Sequence, residues 1–493
     1  MDALERRQYA ADVAVMIGHG GTRTWVMGKR ANVSDMPGGP TNDAVTDAEI
    51  EAIGQVVSEA VAAGALGFST SRLLLHRDNR GILTPGALAA KKEMVRICDA
   101  VAQGGGGIYE MSTDFSAYDD MPYHKLDPVQ RKHFFESELG WMADAMAKHP
   151  NLKVSFGVGP AQVPFFSDWA TNVSRVPGQC VVQFQTRPQS FHMSHASGKN
   201  PFSTSKHYQN ARSTAAGDTA VLLQLLAEPG LKEVIMDEML AFESMGQGMI
   251  GEQLRNEQGA IIPAWMINGQ LCYPFTDTYE PSSAEMIPAI AERMDRSPLE
   301  VMWDLLMDVD GSSGGVLWRP LFDYQGNNDN IVQGLGMPNI IPGFDDAGAH
   351  CTILTDATCA TTNLHYYGRD RVAGDGQTVP METIIKTQTM DAARIFGLED
   401  RGVLAAGMRA DINIIDMDKL KVGKPYWVND LPTHAGRWLQ HTEGYRATIL
   451  RGVVTFEHDQ HTGMPPVHLT CFECEAFAHL LACAKLCSRS SKN

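Results

Sequence analysis

The stretch "GFDDAGAHCTIL" (343–354) places Asp345, Asp346, His350 and Cys351 within seven residues, directly after the apolar run "MPNIIP". A carboxylate beside an attacking water can take its proton and pass it to a leaving group. The histidine could bind a substrate or the hydroxide, or simply hydrogen-bond a loop carbonyl. Four polar residues on one loop cannot surround a metal ion, because the remaining ligands must come from other strands. Asp345 or Asp346 also has a simpler reading, as the cap of the segment that follows.

The elements that would position these residues alternate between short apolar runs and helix-length segments. "DVAVMIGH" (12–19), "ALGFSTS" (65–71), "GGIYEM" (106–111), "LKVSFGV" (152–158), "CVVQFQT" (180–186) and "NIIPGFD" (339–345) read as strands. Helices are predicted near 46–63, 87–103 and 128–149. The first has Thr46 as N-cap, Glu49 completing a capping box and Gly64 at its end. Strands spaced by helices imply parallel β/α units, as in a barrel or a doubly wound sheet. About six strands are counted, where a closed (β/α)8 barrel needs eight. In such a barrel the working residues lie at the C-terminal ends of strands. Here those ends carry His19, Ser69 with Arg72, Glu110, Gln185 with Arg187, and the Asp345/Asp346 pair. After residue 400 the pattern changes to a turn around Gly407, an alternating strand, and a hairpin over 445–463 turning at Arg451-Gly452.

A net charge of -17 argues against nucleic acid or an anionic membrane as partner, since the long-range field would repel both. A 44% hydrophobic content suits a large globular core. No run reaches the length of a membrane span, and the N-terminus lacks the apolar stretch of a signal peptide, so a cytoplasmic protein is expected. Cys98, Cys180, Cys272, Cys351 and Cys359 are scattered singly, as reduced thiols usually are.

Several of these segments, in this order, carry a specific resemblance. "GVLAAGMRADINIIDMD" followed by "YRATILRGVVTFEHDQHTGMPP" resembles the C-terminal signature of the amidohydrolase superfamily. "EAVAAGALGFSTSRLLLHR" (59–77), "RPQSFHMSHASGKNPFSTSKHY" (187–208), "GFDDAGAH" and "TQTMDAARIFGLEDRG" (387–402) resemble its D-aminoacylase branch, the N-acyl-D-amino-acid deacylases and their relatives. The resemblance runs from residue 1 to about 468. It implies a TIM-like (β/α) barrel over 1–398 and part of a small β-sandwich over 399–468, with a Cys-rich tail over 469–493 outside it.

It also implies a chemistry. A Zn2+ or another divalent metal would bring a bound water to a pKa of roughly 7 and polarise an amide carbonyl. The family's last-strand aspartate, here Asp346, would serve as metal ligand and as base, while Asp345 occupies a position that is usually small. Ser69, Arg72, Arg187 and His350 are the candidates for holding a small-molecule amide substrate. Arg187 could pair a substrate carboxylate bidentately, or it could pin the turn at Pro188.

The family's other ligands are not in evidence. Among sixteen histidines there is no His-x-His pair, and no "N-C-G"-like turn occurs. "YEMSTDFSAYDD" (109–120) stands where a "T-H-x-R-D-E"-like strand end is usual, and no "H-P-R" lies between His350 and Arg371. The strands "VSFGVGPAQ" and "VVQFQTRP" end in Gln162 and in Gln185 or Arg187 rather than in histidines. With two strands short of a barrel, these departures lead us to expect that the first barrel strands and the N-terminal half of the sandwich precede Met1. Open sheet edges would then favour pairing with another chain, a homo-oligomer included.

In the tail, Cys471, Cys474, Cys483 and Cys487 have a C-x2-C, C-x3-C pattern that could hold zinc, although the eight-residue gap is short for such a site. Two functions of different class follow. One is a metal-dependent hydrolase of non-peptide C–N bonds, such as an N-acyl-D-amino-acid deacylase or cyclic amide hydrolase. The other is a catalytically silent barrel fragment or small-molecule binding protein.

Overall fold

The computed structural model describes residues 8–9, 13–32, 45–73, 76, 78, 82–113, 128–188, 190–248, 251–276, 278–311, 314–320, 326–343, 350–463 and 467–468. Asp345 and Asp346 lie outside the described residues, as does the four-cysteine tail.

Six strands form one parallel sheet: β1 (Ile17–Gly18), β2 (Gly67–Ser71), β3 (Gly107–Ser112), β4 (Leu152–Val158), β5 (Cys180–Phe184) and β6 (Ile340–Pro342). Their order across the sheet follows the chain, with β1 and β6 at the two ends. All six correspond to runs read from the sequence. The expected parallel β/α architecture is therefore present, while a closed eight-stranded ring is not formed by the described residues.

Helices cover one face. α1 (His19–Met27) follows β1 directly, and α2 (Asp47–Ala62) begins with the expected capping box. In that box the Thr46 hydroxyl accepts from the Glu49 N–H at 3.2 Å, and the Glu49 carboxylate accepts from the Thr46 N–H at 2.9 Å. Such a cap contributes about 1 kcal/mol. Ile50, Ile53, Val57 and Val61 line the buried stripe of α2. α3 (Lys91–Gln103) starts four residues later than the pattern suggests, because Thr84–Ala89 turns tightly, Ala87 N–H donating to Thr84 and Ala89 N–H to Gly86. α4 (Pro128–Lys148) matches its predicted span, and α5 (Val163–Val173) follows β4.

Phe68, Tyr109, Met111, Val154, Phe156, Val182, Phe184 and Ile340 point from the sheet into one core with the helices. Side chains alternate along a strand, so the residues between them share the opposite face. There Ile108, Val181 and Ile341 form a second small cluster with Ile395.

Between β5 and β6 the chain makes a long excursion with a core of its own. Its strands Ser190–Met193, Leu317–Pro320 and Tyr273–Pro274 pair antiparallel, and helices such as Lys206–Ala215 and Pro298–Met307 pack around Phe202, Tyr208, Met302 and Trp303. Beyond 400, Ile412–Ile415, Tyr445–Leu450, Val453–Glu457 and Gln460–His461 form a four-stranded antiparallel sheet. The hairpin turns at Arg451 (φ 51°) and Gly452 (φ 80°), as expected; two consecutive positive φ values suit the right-handed twist of the flanking strands. No described helix is long and apolar enough to cross a membrane.

Candidate functional site

The C-terminal ends of the parallel strands are where the candidate residues were expected, and the structure divides those residues into bolts and open groups. His19 is a bolt. It is 2% exposed, its Nδ1 lies 2.8 Å from Thr70 Oγ1, and its Nε2 lies 2.8 Å from Glu93 Oε1. Arg23 donates to both oxygens of the same carboxylate, at 3.0 and 3.1 Å. Burial pushes the His19 imidazole below its usual range, although Glu93 pulls the other way. A neutral ring with Nε2–H donating to Glu93 and Nδ1 accepting from Thr70 fits that environment. Both nitrogens are thereby committed. Gly86, at φ 95°, lies so close that a Cβ there would come within 2.4 Å of His19 Nδ1.

Arg72, a candidate substrate ligand, is 6% exposed and is also spoken for. Its guanidinium donates to the Ala89 carbonyl at 2.6 Å and to Glu138 Oε1 at 3.0 Å, tying the end of β2 to the turn before α3 and to α4. Holding a substrate there would require breaking a buried ion pair.

Arg187 lies three residues beyond β5 and is 1% exposed. It donates to Tyr279 Oη (3.1 Å), Thr358 Oγ1 (2.8 Å), Gln440 Oε1 (3.2 Å) and the Thr355 carbonyl (2.6 Å). Its guanidinium carbon also sits 4.9 Å from the centre of the Tyr279 ring. One side chain thus joins the end of β5, the inserted lobe, the segment after β6 and the C-terminal β module. This makes Arg187 a long-range fastening, and a substrate carboxylate would have to compete with these bonds for its donors.

The open groups form a polar row on the inner face. Ser69 is in register with Glu110, and Glu110 with Ser155. Gln183 Nε2 donates to Glu110 Oε1 at 3.1 Å and to Ser155 Oγ at 2.9 Å. Ser69, Glu110 and Gln183 are half-buried, as is Gln185.

His350 is exposed, at φ 49°, and its carbonyl accepts from the N–H groups of Ile353 (2.8 Å) and Leu354 (3.0 Å). Its ring lies 6.4 Å, centre to centre, from that of His76, with 32° between the planes. His76 was not singled out from the sequence. It follows β2 by five residues, and its Nδ1 is 2.6 Å from Ser71 Oγ. No spacing rule separates it from any other single loop histidine. Cys351 is a half-buried free thiol whose carbonyl accepts from the Trp438 N–H at 2.8 Å.

Among the described residues, no three His, Cys, Asp or Glu side chains come together as a metal-holding group. The ligand set that the resemblance implies is thus not assembled by these residues.

Comparison with known proteins bears on the same region. Residues 334–456, which span β6, Asp346 and most of the C-terminal β module, match the amidohydrolase family. The chain is 28% identical over 127 residues to a 5-methylthioadenosine/S-adenosylhomocysteine deaminase of Desulfitobacterium hafniense, covering 24% of this chain and 28% of the relative. It is 31% identical over 97 residues to the Bacillus cereus enzyme of the same description, covering 18% and 22%. The chain thus spans less than a third of the length of these curated relatives. A solved D-aminoacylase structure, described as defining a novel subset of amidohydrolases, is also similar: TM-score 0.46, 15% identity, 94% of this chain and 73% of that one. The resemblance to the amidohydrolase superfamily read from the sequence agrees with the family match over residues 334–456.

Proposed function

We propose that this chain hydrolyses carbon–nitrogen bonds other than peptide bonds, as an N-acyl-D-amino-acid deacylase or a cyclic amide hydrolase, with Asp346 as general base. The observation that carries this reading is the amidohydrolase match over 334–456, which includes Asp346 just beyond β6. Active sites of α/β barrels lie at that end of the strands.

In the proposed reaction a water oxygen attacks the amide carbonyl. Asp346 takes a proton from that water and delivers it to the departing nitrogen, which leaves as an amine while the acyl carbon keeps the new oxygen. The polar row of Ser69, Glu110, Ser155 and Gln183 offers hydrogen-bond partners for an amide approaching the inner face. His350 would contact the substrate from the loop beyond β6.

The test is a panel of N-acyl-D-amino acids, N-acyl-L-amino acids and cyclic amides, with amine release followed by mass spectrometry. Turnover by the full chain, lowered about 10²–10⁴-fold in Asp346→Asn, is the expected result, that being the usual contribution of a general base. Absence of turnover across the panel, or equal turnover by the variant, overturns the reading.

A further inference from the structure

We propose that Arg319, on the central strand (Leu317–Pro320) of the inserted lobe's small sheet, binds the carboxylate of a small organic monoanion. The proposal goes beyond the hydrolase reading and does not rest on it.

The fully buried arginines of this chain are matched by acceptors. Arg23 pairs with Glu93, Arg72 with Glu138 and Arg371 with Glu280, and Arg187 donates to four oxygens. Arg319 is the exception. It is half-buried, its Nε is buried without an acceptor, and its guanidinium forms no ion pair or hydrogen bond among the described residues. The guanidinium carbon sits 4.6 Å from the centre of the Trp265 ring, and that ring stacks at 6.1 Å on Phe191, the cross-strand partner of Arg319. Trp265 is 4% exposed, and its indole N–H is likewise buried without an acceptor. Burial pushes Arg319 below its ordinary value. The Cys272 thiol acts against this shift, but burial pushes that thiol up to about 12, so it is neutral at ordinary pH and compensates no charge. Arginine is seldom withdrawn from water unless an anion meets it.

The chemistry of the spot defines the ligand. Two donors and a positive charge meet there without acceptors, so the complementary group brings acceptors and negative charge. Trp265 covers the face of the guanidinium, which leaves the in-plane terminal nitrogens to meet a ligand, and these match the two oxygens of a carboxylate. A single positive charge, with no second cation acting on it, suits a monoanion rather than a phosphate dianion. Phe191, half-buried, supplies an apolar wall alongside for a hydrocarbon or aromatic group. Alternation along the strands puts Arg319 and Phe191 on one face of the small sheet and Trp318 and His192 on the other. The Trp318 face packs with Trp438, whose N–H is bonded to the Cys351 carbonyl. Arg319 therefore looks into the lobe, on the face turned away from the loop after β6.

The experiment titrates the full chain with phenylacetate, acetate and inorganic phosphate by calorimetry at low salt, with urea unfolding as a second readout. The expected result is one equivalent of phenylacetate, bound more tightly than acetate or phosphate. Arg319→Met should weaken phenylacetate about tenfold or more, the loss expected for a charge-assisted hydrogen-bond pair. Arg319→Lys, which keeps the charge without the planar fork, should weaken it less than Arg319→Met does. Arg319→Met should leave the urea midpoint unchanged or raised, because it removes an uncompensated charge. Asp346→Asn should leave phenylacetate binding unchanged, which keeps this site separate from the proposed active site. No phenylacetate bound, equal binding by Arg319→Met, a preference for phosphate, or loss of binding in Asp346→Asn overturns the proposal. A lowered urea midpoint in Arg319→Met with phenylacetate binding kept would make Arg319 a structural clamp on Trp265 instead. Phenylacetate binding that needs Arg319 in a chain without amide turnover would retain this site and remove the hydrolase reading.

Discussion

Arg187→Met separates fastening from substrate binding. Methionine keeps most of the apolar bulk and removes every donor. Three of these four acceptors keep other bonds. Tyr279 Oη still accepts from Gln440 Nε2 at 2.9 Å, Gln440 Oε1 still accepts from the Thr358 hydroxyl at 2.9 Å, and Thr358 retains that donation. The Thr355 carbonyl is left with only a 3.5 Å contact to the Thr358 hydroxyl. An under-satisfied buried acceptor costs about 1–3 kcal/mol. Losing the guanidinium over Tyr279 adds about 0.5–2 kcal/mol, for a total of about 1.5–5 kcal/mol. Urea unfolding followed by tryptophan fluorescence measures the loss, and steady-state kinetics on any substrate found provides the second axis. A fastening role predicts the stability loss, with kcat and KM disturbed together. A stability change under about 0.5 kcal/mol, together with a raised KM at unchanged kcat, would refute it and restore Arg187 as a carboxylate clamp.

Two further perturbations test the same framework. Arg371, 2% exposed, donates to both oxygens of the buried Glu280 carboxylate at 2.9 and 3.0 Å, and Arg371→Met should cost about 3–5 kcal/mol in urea unfolding by stranding that charge. Arg371→Met/Glu280→Leu should recover part of the loss, and no recovery would argue that packing rather than charge dominates. Burial, with Arg212 adding, pushes the His195 imidazole down to about 3, so the folded protein keeps it neutral where the unfolded chain would protonate it. Stability from this group is full above the unfolded value near 6.5 and is lost as pH falls, by about 2 kcal/mol at pH 5. His195→Leu should flatten the urea midpoint between pH 7 and pH 5, and an unchanged slope would refute the assignment.

The strands were legible because each is an apolar run closed by glycine or polar residues, and parallel strands buried by helices need such runs. α2 was legible to within a residue because its capping box is a local chemical signal. The lobe between β5 and β6 was not. The three strands of its central sheet are two to four residues long, and Leu317 pairs with Met193, a partner too remote for any local pattern to announce. The arginines failed for the same reason. Arg72 meets Glu138 across 66 positions and Arg187 meets Thr358 across 171, so a polar strand end and a buried bolt look identical in sequence. His76 and His350 come together only in the fold.

The inner face of the sheet shows which way chemistry must be approached. The second residues of β3, β5 and β6 are Ile108, Val181 and Ile341, and these pack with Ile395. The second residue of β4 is Lys153, whose ammonium donates to the Arg394 and Ile395 carbonyls at 2.7 and 2.8 Å. The segment after 391 is therefore stapled across the N-terminal ends of these strands. Two residues further along, the same face presents Glu110, Ser155 and Gln183, joined by hydrogen bonds. A period of two along each strand keeps both sets on one face, so the change from apolar to polar runs along the strand direction and not from one face to the other. A polar amide entering from the N-terminal side would have to displace buried isoleucines, at about 1.5–3 kcal/mol for each side chain re-exposed. Entry over the C-terminal ends carries no such cost among the described residues. It leads toward His76 and His350, whose rings lie 6.4 Å apart.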